Sequence, residues 1–253
     1  MTPLESSPAD PAMHDLAAHD PSAASNALAR RLRPLEGKAP GTLMVHEVYR
    51  SIQGESTFAG LPCVFVRLTA CHLRCAYCDT PHAFQQGRPM SLDAVLDEVE
   101  KLGGRLVELT GGEPLLQEEA YPLMSTLADR GWTVLLETSG GVPTDRVDPR
   151  VHVILDVKTP ASGEVDANVW SNLDRLGPRD EVKFVLGDRA DFDWAVELIR
   201  RRGLAQRGPV LMSAVFGRVD PTDLAGWILE TGLPIRLQVQ LHKILWDPKA
   251  RGV

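Results

Sequence analysis

The sequence predicts an α/β fold, a partial or modified (β/α) barrel over residues 44–248. Three observations predict it. Short β-rich runs alternate with amphipathic helical patterns, the pattern of right-handed βαβ crossovers and a parallel sheet. Six or seven such units follow one another, which favours a barrel or part of one over a flat sheet. The residues with unusual chemistry fall just after strands, where such folds keep their active sites.

Length and charge narrow the field. A chain of 253 residues can build one domain with a full core but not two large ones. A net charge of -7 argues against nucleic acid as a partner, because binding phosphates needs a basic face. No apolar run approaches the ~20 residues that span a bilayer, so no membrane partner is expected. The N-terminus lacks a basic-then-apolar signal pattern, which points to the cytoplasm.

Residues 1–40 are rich in Ala, Pro, Ser and Asp without hydrophobic period, and read as a disordered leader. Strands are expected at 44–49 and 63–69, the second running into a cysteine loop. Ser91 has the N-cap position of a helix whose Leu92, Val95, Val99 and Leu102 share one face. A strand at 105–109 ends at Thr110-Gly111-Gly112-Glu113-Pro114, and a helix follows over 117–130. The strand 132–137 ends at Thr138-Ser139-Gly140-Gly141, and the strand 151–156 at Val157-Lys158. Strands at 181–186, 209–213 and 235–240 complete the series, with helices near 168–176, 191–202 and 221–231. Residues 249–253 form a short C-terminal tail.

Three of the four cysteines, Cys71, Cys75 and Cys78, lie within eight residues, spaced C-x3-C-x2-C. Three thiolates on one loop can converge on one metal centre, and thiolate is the ligand class of iron–sulfur clusters. A structural zinc site would want a fourth ligand in a second paired spacing, which is missing. A zinc knuckle or redox thiols remain the alternatives at this point. Cys63, in an apolar strand, reads as a buried free thiol.

The C-x3-C-x2-C spacing with Tyr77 before its last cysteine resembles the cluster loop of radical S-adenosylmethionine (SAM) enzymes. Gly112 and its neighbours in Thr-Gly-Gly-Glu-Pro resemble the motif that holds the amino end of SAM in that superfamily. The resemblance implies a barrel of the radical SAM type and a [4Fe–4S] cluster on Cys71, Cys75 and Cys78. It also implies SAM contacts at Tyr77, Cys78, Asp79, Gly112, Ser139 and Lys158. For Lys158 an ion pair with Asp156 is an equal alternative.

A narrower resemblance rests on Ser51-Ile52-Gln53-Gly54-Glu55-Ser56, Gly60-Leu61-Pro62, Val64-Phe65-Val66-Arg67-Leu68, Cys78-Asp79-Thr80 and Gln240-Leu241-His242-Lys243. Together these are similar to the 7-carboxy-7-deazaguanine synthases, over about residues 44–248. That resemblance implies conversion of 6-carboxy-5,6,7,8-tetrahydropterin to 7-carboxy-7-deazaguanine with loss of ammonia, for queuosine and related 7-deazapurines. It implies substrate contacts at Ile52, Gln53, Gly54, Glu55, Arg67, Thr110 and His242, and magnesium at Thr80. Arg67 offers a two-pronged donor to a carboxylate, although it could instead pair with Glu55. The partners expected are the pterin, an electron donor such as flavodoxin or ferredoxin, and a second subunit in a homodimer. The rival readings are another radical SAM enzyme, such as a glycyl-radical activase, and a zinc-binding interaction module. Some members of the family end near Pro248 and use the terminal carboxylate at the substrate, and here five further residues displace it.

Overall fold

A computed structural model of the chain describes residues 21–248 and 250–253. In order, the elements are α1 (Pro21–Leu32), β1 (Thr42–Ile52), β2 (Pro62–Leu68), β3 (Arg88–Ser91), α2 (Leu92–Leu102), β4 (Leu106–Gly111), α3 (Ala120–Asp129) and β5 (Thr133–Thr138). They continue with β6 (His152–Asp156), α4 (Ser171–Arg175), β7 (Glu181–Leu186), α5 (Arg189–Arg202), β8 (Val210–Ala214), α6 (Pro221–Thr231), β9 (Ile235–Gln238) and α7 (Leu241–Leu245).

The nine strands form one sheet in the order β3-β1-β2-β4-β5-β6-β7-β8-β9. Its ends, β3 and β9, do not pair, so the barrel is partial. From β2 to β9 every neighbouring pair is parallel. β1 departs from the expected parallel sheet, running antiparallel to both β2 and β3. The reason is the connection: residues 53–61 hold no helix, and a parallel return needs a crossover of a dozen residues or more.

Side chains in the strands alternate, and the two faces meet different fates. Val64, Val66, Leu68, Val107, Leu109, Val134, Leu136, Val153, Leu155, Val182, Phe184 and Leu186 point outward into the main core beneath the helices. Their inward neighbours start apolar at one end, where Cys63, Phe65, Leu106, Leu135 and Ile154 form a second, small cluster. Two residues further along these strands the inward positions turn polar, with Arg67, Glu108, Glu137 and Asp156, while β7 is charged at both inward positions, Glu181 and Lys183. The site is therefore the polar upper storey of a sheet whose lower storey is largely apolar.

Capping sets the helix ends as sequence chemistry requires. The Ser91 hydroxyl accepts from Ala94 N at 3.2 Å, starting α2, and the Asp188 carboxylate accepts from Asp191 N at 2.9 Å, starting α5. α5 and α6 both stop at glycines in the left-handed region, Gly203 and Gly232.

The leader expected over residues 1–40 is described only from residue 21 onward. Residues 1–20 lie outside the described residues, while Pro21–Leu32 form α1, and Arg31 in its last turn reaches the body of the protein. Its guanidinium donates to the His72 carbonyl at 2.6 Å and pairs with Glu164, while Lys38 pairs with Glu119. At the other end β9 stops at Gln238, and residues 241–245 turn into α7 rather than prolonging the strand.

Candidate active site

β2 ends in a strained turn. Ala70 sits at φ 78°, a conformation that costs a residue with a side chain roughly 1–3 kcal/mol. It is held there because its N–H donates to Ala83 O and its carbonyl accepts from Glu113 N, at 2.9 and 2.8 Å. The turn delivers Cys71, Cys75 and Cys78 to one cavity, all three as free thiols. Gly112 packs so closely behind them that a Cβ would stand 1.9 Å from the Ala70 carbonyl oxygen. Burial pushes the Cys71 thiol up to about 12, so this sulfur becomes thiolate on meeting a metal ion and not before.

Every cluster, SAM, substrate and magnesium residue expected from the sequence lines this same cavity, of about 610 Å³. What the structure adds is how each is engaged. Tyr77 donates its hydroxyl to Val185 O at 3.1 Å. Ser139 donates to the fully buried Glu113, which also accepts from the Thr138 hydroxyl and from Ser139 N, so the two strand-end turns are tied together. Lys158 does form the ion pair with Asp156, at 2.8 Å. The other Asp156 oxygen is buried without a partner, an acceptor left for a ligand in the cavity. Asp79 faces Lys243 at 2.9 Å and Gln240 at 3.2 Å. Burial raises its pKa, but the Lys243 ammonium outweighs this and holds the carboxyl at about 2.

On the opposite wall Arg67 does not pair with Glu55. Its Nε donates to Glu47 Oε1 at 2.7 Å and a second nitrogen donates to the Tyr49 hydroxyl at 2.9 Å. Glu55 instead pairs with Lys183 and accepts from Gln240 Nε2 at 2.7 Å. The Gln53 amide is engaged at both ends, donating to Glu108 and accepting from Glu55 N, which leaves it one hydrogen for a ligand. Thr110 donates to Glu137 at 2.9 Å. His242, in α7 rather than at a strand end, packs on Gly54 so tightly that a Cβ there would lie 2.6 Å from its Nδ1. Thr80 lines the cavity with its hydroxyl 3.9 Å from Cys78 Sγ. Asp247 and residues 250–253 line the cavity as well. The tail thus folds back along the cavity instead of leaving it.

Three floor residues escaped the sequence reading. Lys183, 4 % exposed, bridges Glu55 and Glu137. Burial alone would strip its proton, but the Glu137 and Glu55 carboxylates hold its pKa well above the lysine range. Glu108, 2 % exposed, is pushed up to about 8 by burial and by the charge of Glu137, so it is a neutral acid at pH 7. The signal that marks them is a single charge inside an otherwise apolar strand, as in Leu106-Val107-Glu108-Leu109 and Val182-Lys183-Phe184.

With this geometry in view, likeness to known proteins is informative. The model of the radical SAM superfamily matches residues 66–212. The chain is 49 % identical to the 7-carboxy-7-deazaguanine synthase of Koribacter versatilis, across 83 % of this chain and 100 % of that one. It is 46 % identical to that of Chlorobaculum tepidum, across 83 % and 97 %. The crystal structure of QueE from Escherichia coli superposes with a TM-score of 0.65 at 23 % identity, covering 78 % of this chain and 94 % of that one, a likeness of fold.

Proposed function

The chain belongs to the radical SAM superfamily and to the 7-carboxy-7-deazaguanine synthases within it, and on that premise we propose its reaction. It converts 6-carboxy-5,6,7,8-tetrahydropterin to 7-carboxy-7-deazaguanine with loss of ammonia, a carbon–nitrogen lyase step toward queuosine and other 7-deazapurines. One observation carries the reading: a single cavity joins the cysteine loop to the wall of Gln53, Glu55 and Arg67. Neither a glycyl-radical activase nor a zinc module is favoured. An activase needs a groove for a protein loop, and a structural zinc site of the knuckle type wants a second paired ligand spacing, which the chain lacks.

The family implies a [4Fe–4S] cluster and SAM, and the residues fit both: three free cysteines on one wall, and an unpartnered Asp156 oxygen beside them. When bound, these groups would supply the radical chemistry that hydrogen abstraction from the pterin requires. Cys71, Cys75 and Cys78 hold the cluster, and Tyr77, Asp79, Gly112, Ser139 and Lys158 border the place for SAM.

The protein's part is to orient, to exclude water and to manage protons. Glu55, fixed by Lys183 and Gln240, presents its carboxyl group to the N–H edge of the pterin, with Gln53, Ile52 and Gly54 beside it. Arg67 takes the substrate carboxylate at the other end, exchanging part of its hold on Glu47 for the new anion. Thr110 and His242 complete the enclosure. Ammonia departs with a proton, and Glu108, a buried acid that is still protonated at neutral pH, is the floor group able to hold one.

Thr80 is proposed to bring a hydroxyl to magnesium, whose other ligands are substrate oxygens and water. A flavodoxin or ferredoxin is proposed as electron donor, and the cytoplasm as the compartment. Among the described residues no helix is long and apolar enough to cross a membrane. A homodimer is proposed as well, and the edge strand β9, with Leu237, Ile244 and Leu245 exposed nearby, offers it a surface.

The test pairs Arg67→Ala with two ligands under anaerobic conditions. Binding of the carboxylated pterin weakens by roughly 2–4 kcal/mol, the usual loss when a desolvated charge pair is broken. A pterin without the carboxylate loses much less, and SAM binding and iron content hold. Equal losses for both pterins mean that Arg67 only braces Glu47 and Tyr49.

A further inference from the structure

His46, Glu47 and His82 stand together beside the cavity, each half-buried, with one ligand atom from each within 4.8 Å of the others. Two are consecutive in β1, and consecutive residues of a regular strand point to opposite faces. They converge because the strand is irregular here: the register with β2 shifts between Val45 and Glu47. A bulge of this kind re-aims a side chain, and bulges gather next to functional sites. His82 comes from the other side, on the short 3-10 turn Pro81–Phe84 that follows the cysteine loop. The imidazoles of His46 and His82 lie 5.0 Å apart, tilted by 48°.

The tautomer of His46 is fixed. Its Nδ1 lies 2.7 Å from the Gln86 carbonyl oxygen, which can only accept, so Nδ1 carries the proton and the Nε2 lone pair is open. Metal-binding histidines are oriented by this kind of second hydrogen bond. Glu47 is oriented likewise, by Arg67 on Oε1, and its Oε2 remains for another partner.

We propose that His46, Glu47 and His82 form a binding site for a divalent transition-metal ion, separate from the cysteine loop. Two imidazoles and one carboxylate are the donor set of zinc and its first-row neighbours, not of magnesium or calcium. Ligand bonds near 2 Å require the three atoms to close by about an ångström, within reach of side-chain rotation on a bulge and a turn. Three protein ligands leave coordination positions open. Arg67 adjoins the site, and Arg251 of the tail acts on the charge of His82. These cations reduce the attraction for a bare ion, so the affinity is micromolar rather than nanomolar, and they favour an anionic oxygen in the open positions. A carboxylate ligand is the class that fits, at the end of the cavity where Arg67 stands.

Zinc is the probe, offered to cluster-loaded enzyme so that Cys71, Cys75 and Cys78 are already occupied. After anaerobic dialysis against micromolar zinc, metal analysis finds one zinc per chain with iron undiminished. His46→Ala, His82→Gln and Glu47→Gln each weaken zinc binding tenfold or more, while iron content holds in all three and melting temperature holds in the two histidine variants. His82→Gln, on an outer turn, separates loss of a ligand from loss of the fold. The proposal is overturned if zinc does not bind, if it binds equally well to all three variants, or if zinc gained matches iron lost.

Discussion

Cys71, Cys75 and Cys78 differ from Cys63 in where their strands leave them, and the difference is testable one residue at a time. Each alanine variant of the three removes an anchoring thiolate, so a stable four-iron cluster and turnover are lost. Cys63, 1 % exposed in the lower storey with its thiol pushed up by burial, is dispensable, and Cys63→Ala keeps full iron and sulfide. Glu108 gives a second test, through pH. Its folded pKa of about 8 lies above the ordinary 4.5, so between these values the folded state holds a proton that the unfolded state has released. Stability then falls as pH rises from about 4.5 to about 8. Melting temperature measured from pH 5 to pH 9 falls less steeply in Glu108→Gln than in wild type, and parallel curves refute the assignment. The residues legible in the sequence were those in motifs with a fixed spacing, and they all reached the cavity. Glu108, Glu137 and Lys183 were not legible, because a lone charge in a strand does not reveal the partners that other strands bring to it. Arg67 shows the same limit: Glu55 was the partner considered for it, and Glu47, brought by β1, was not foreseen, whereas the Lys158–Asp156 pair, two residues apart in the chain, was legible as an alternative.

Whole elements were legible where their period was long. α2, α5 and α6 begin at Ser91, Asp188 and Asp220, side chains that cap them, and the parallel strands follow their apolar runs to within a residue or two. β3 escaped because it has four residues and contains Pro89, too little for a period. α1 escaped because its composition is that of a leader, and its hold on the body comes from Arg31 rather than from an apolar face. This gives α1 a role that composition hides. Arg31→Ala removes a charged hydrogen bond to the cysteine loop, a loss of about 1–2 kcal/mol. A chain beginning at Thr42, the first residue of β1, loses the Lys38–Glu119 pair as well. Differential scanning calorimetry and iron retention in air both register the change, with the truncated chain the less stable. Indistinguishable melting and iron loss for full-length and truncated chains would show that α1 does not brace the loop.

At the scale of the molecule, one sheet performs two tasks by alternation alone. Outward side chains build the core under the helices, and inward ones pass from a largely apolar floor to a charged cavity wall. The α/β class and the placing of the chemistry after the strands were legible, since both follow from local pattern. The antiparallel start at β1 and the inward fold of residues 250–253 were not, since both depend on contacts between distant parts of the chain. The central claim is that this cavity rearranges a carboxylated pterin. The direct measurement is anaerobic incubation of reconstituted enzyme with SAM, a reductant and 6-carboxy-5,6,7,8-tetrahydropterin, followed by mass analysis of the products. The account predicts 7-carboxy-7-deazaguanine and ammonia in equal amounts from wild type and none from Cys75→Ala. Fully loaded enzyme that cleaves SAM while leaving the pterin intact would contradict it.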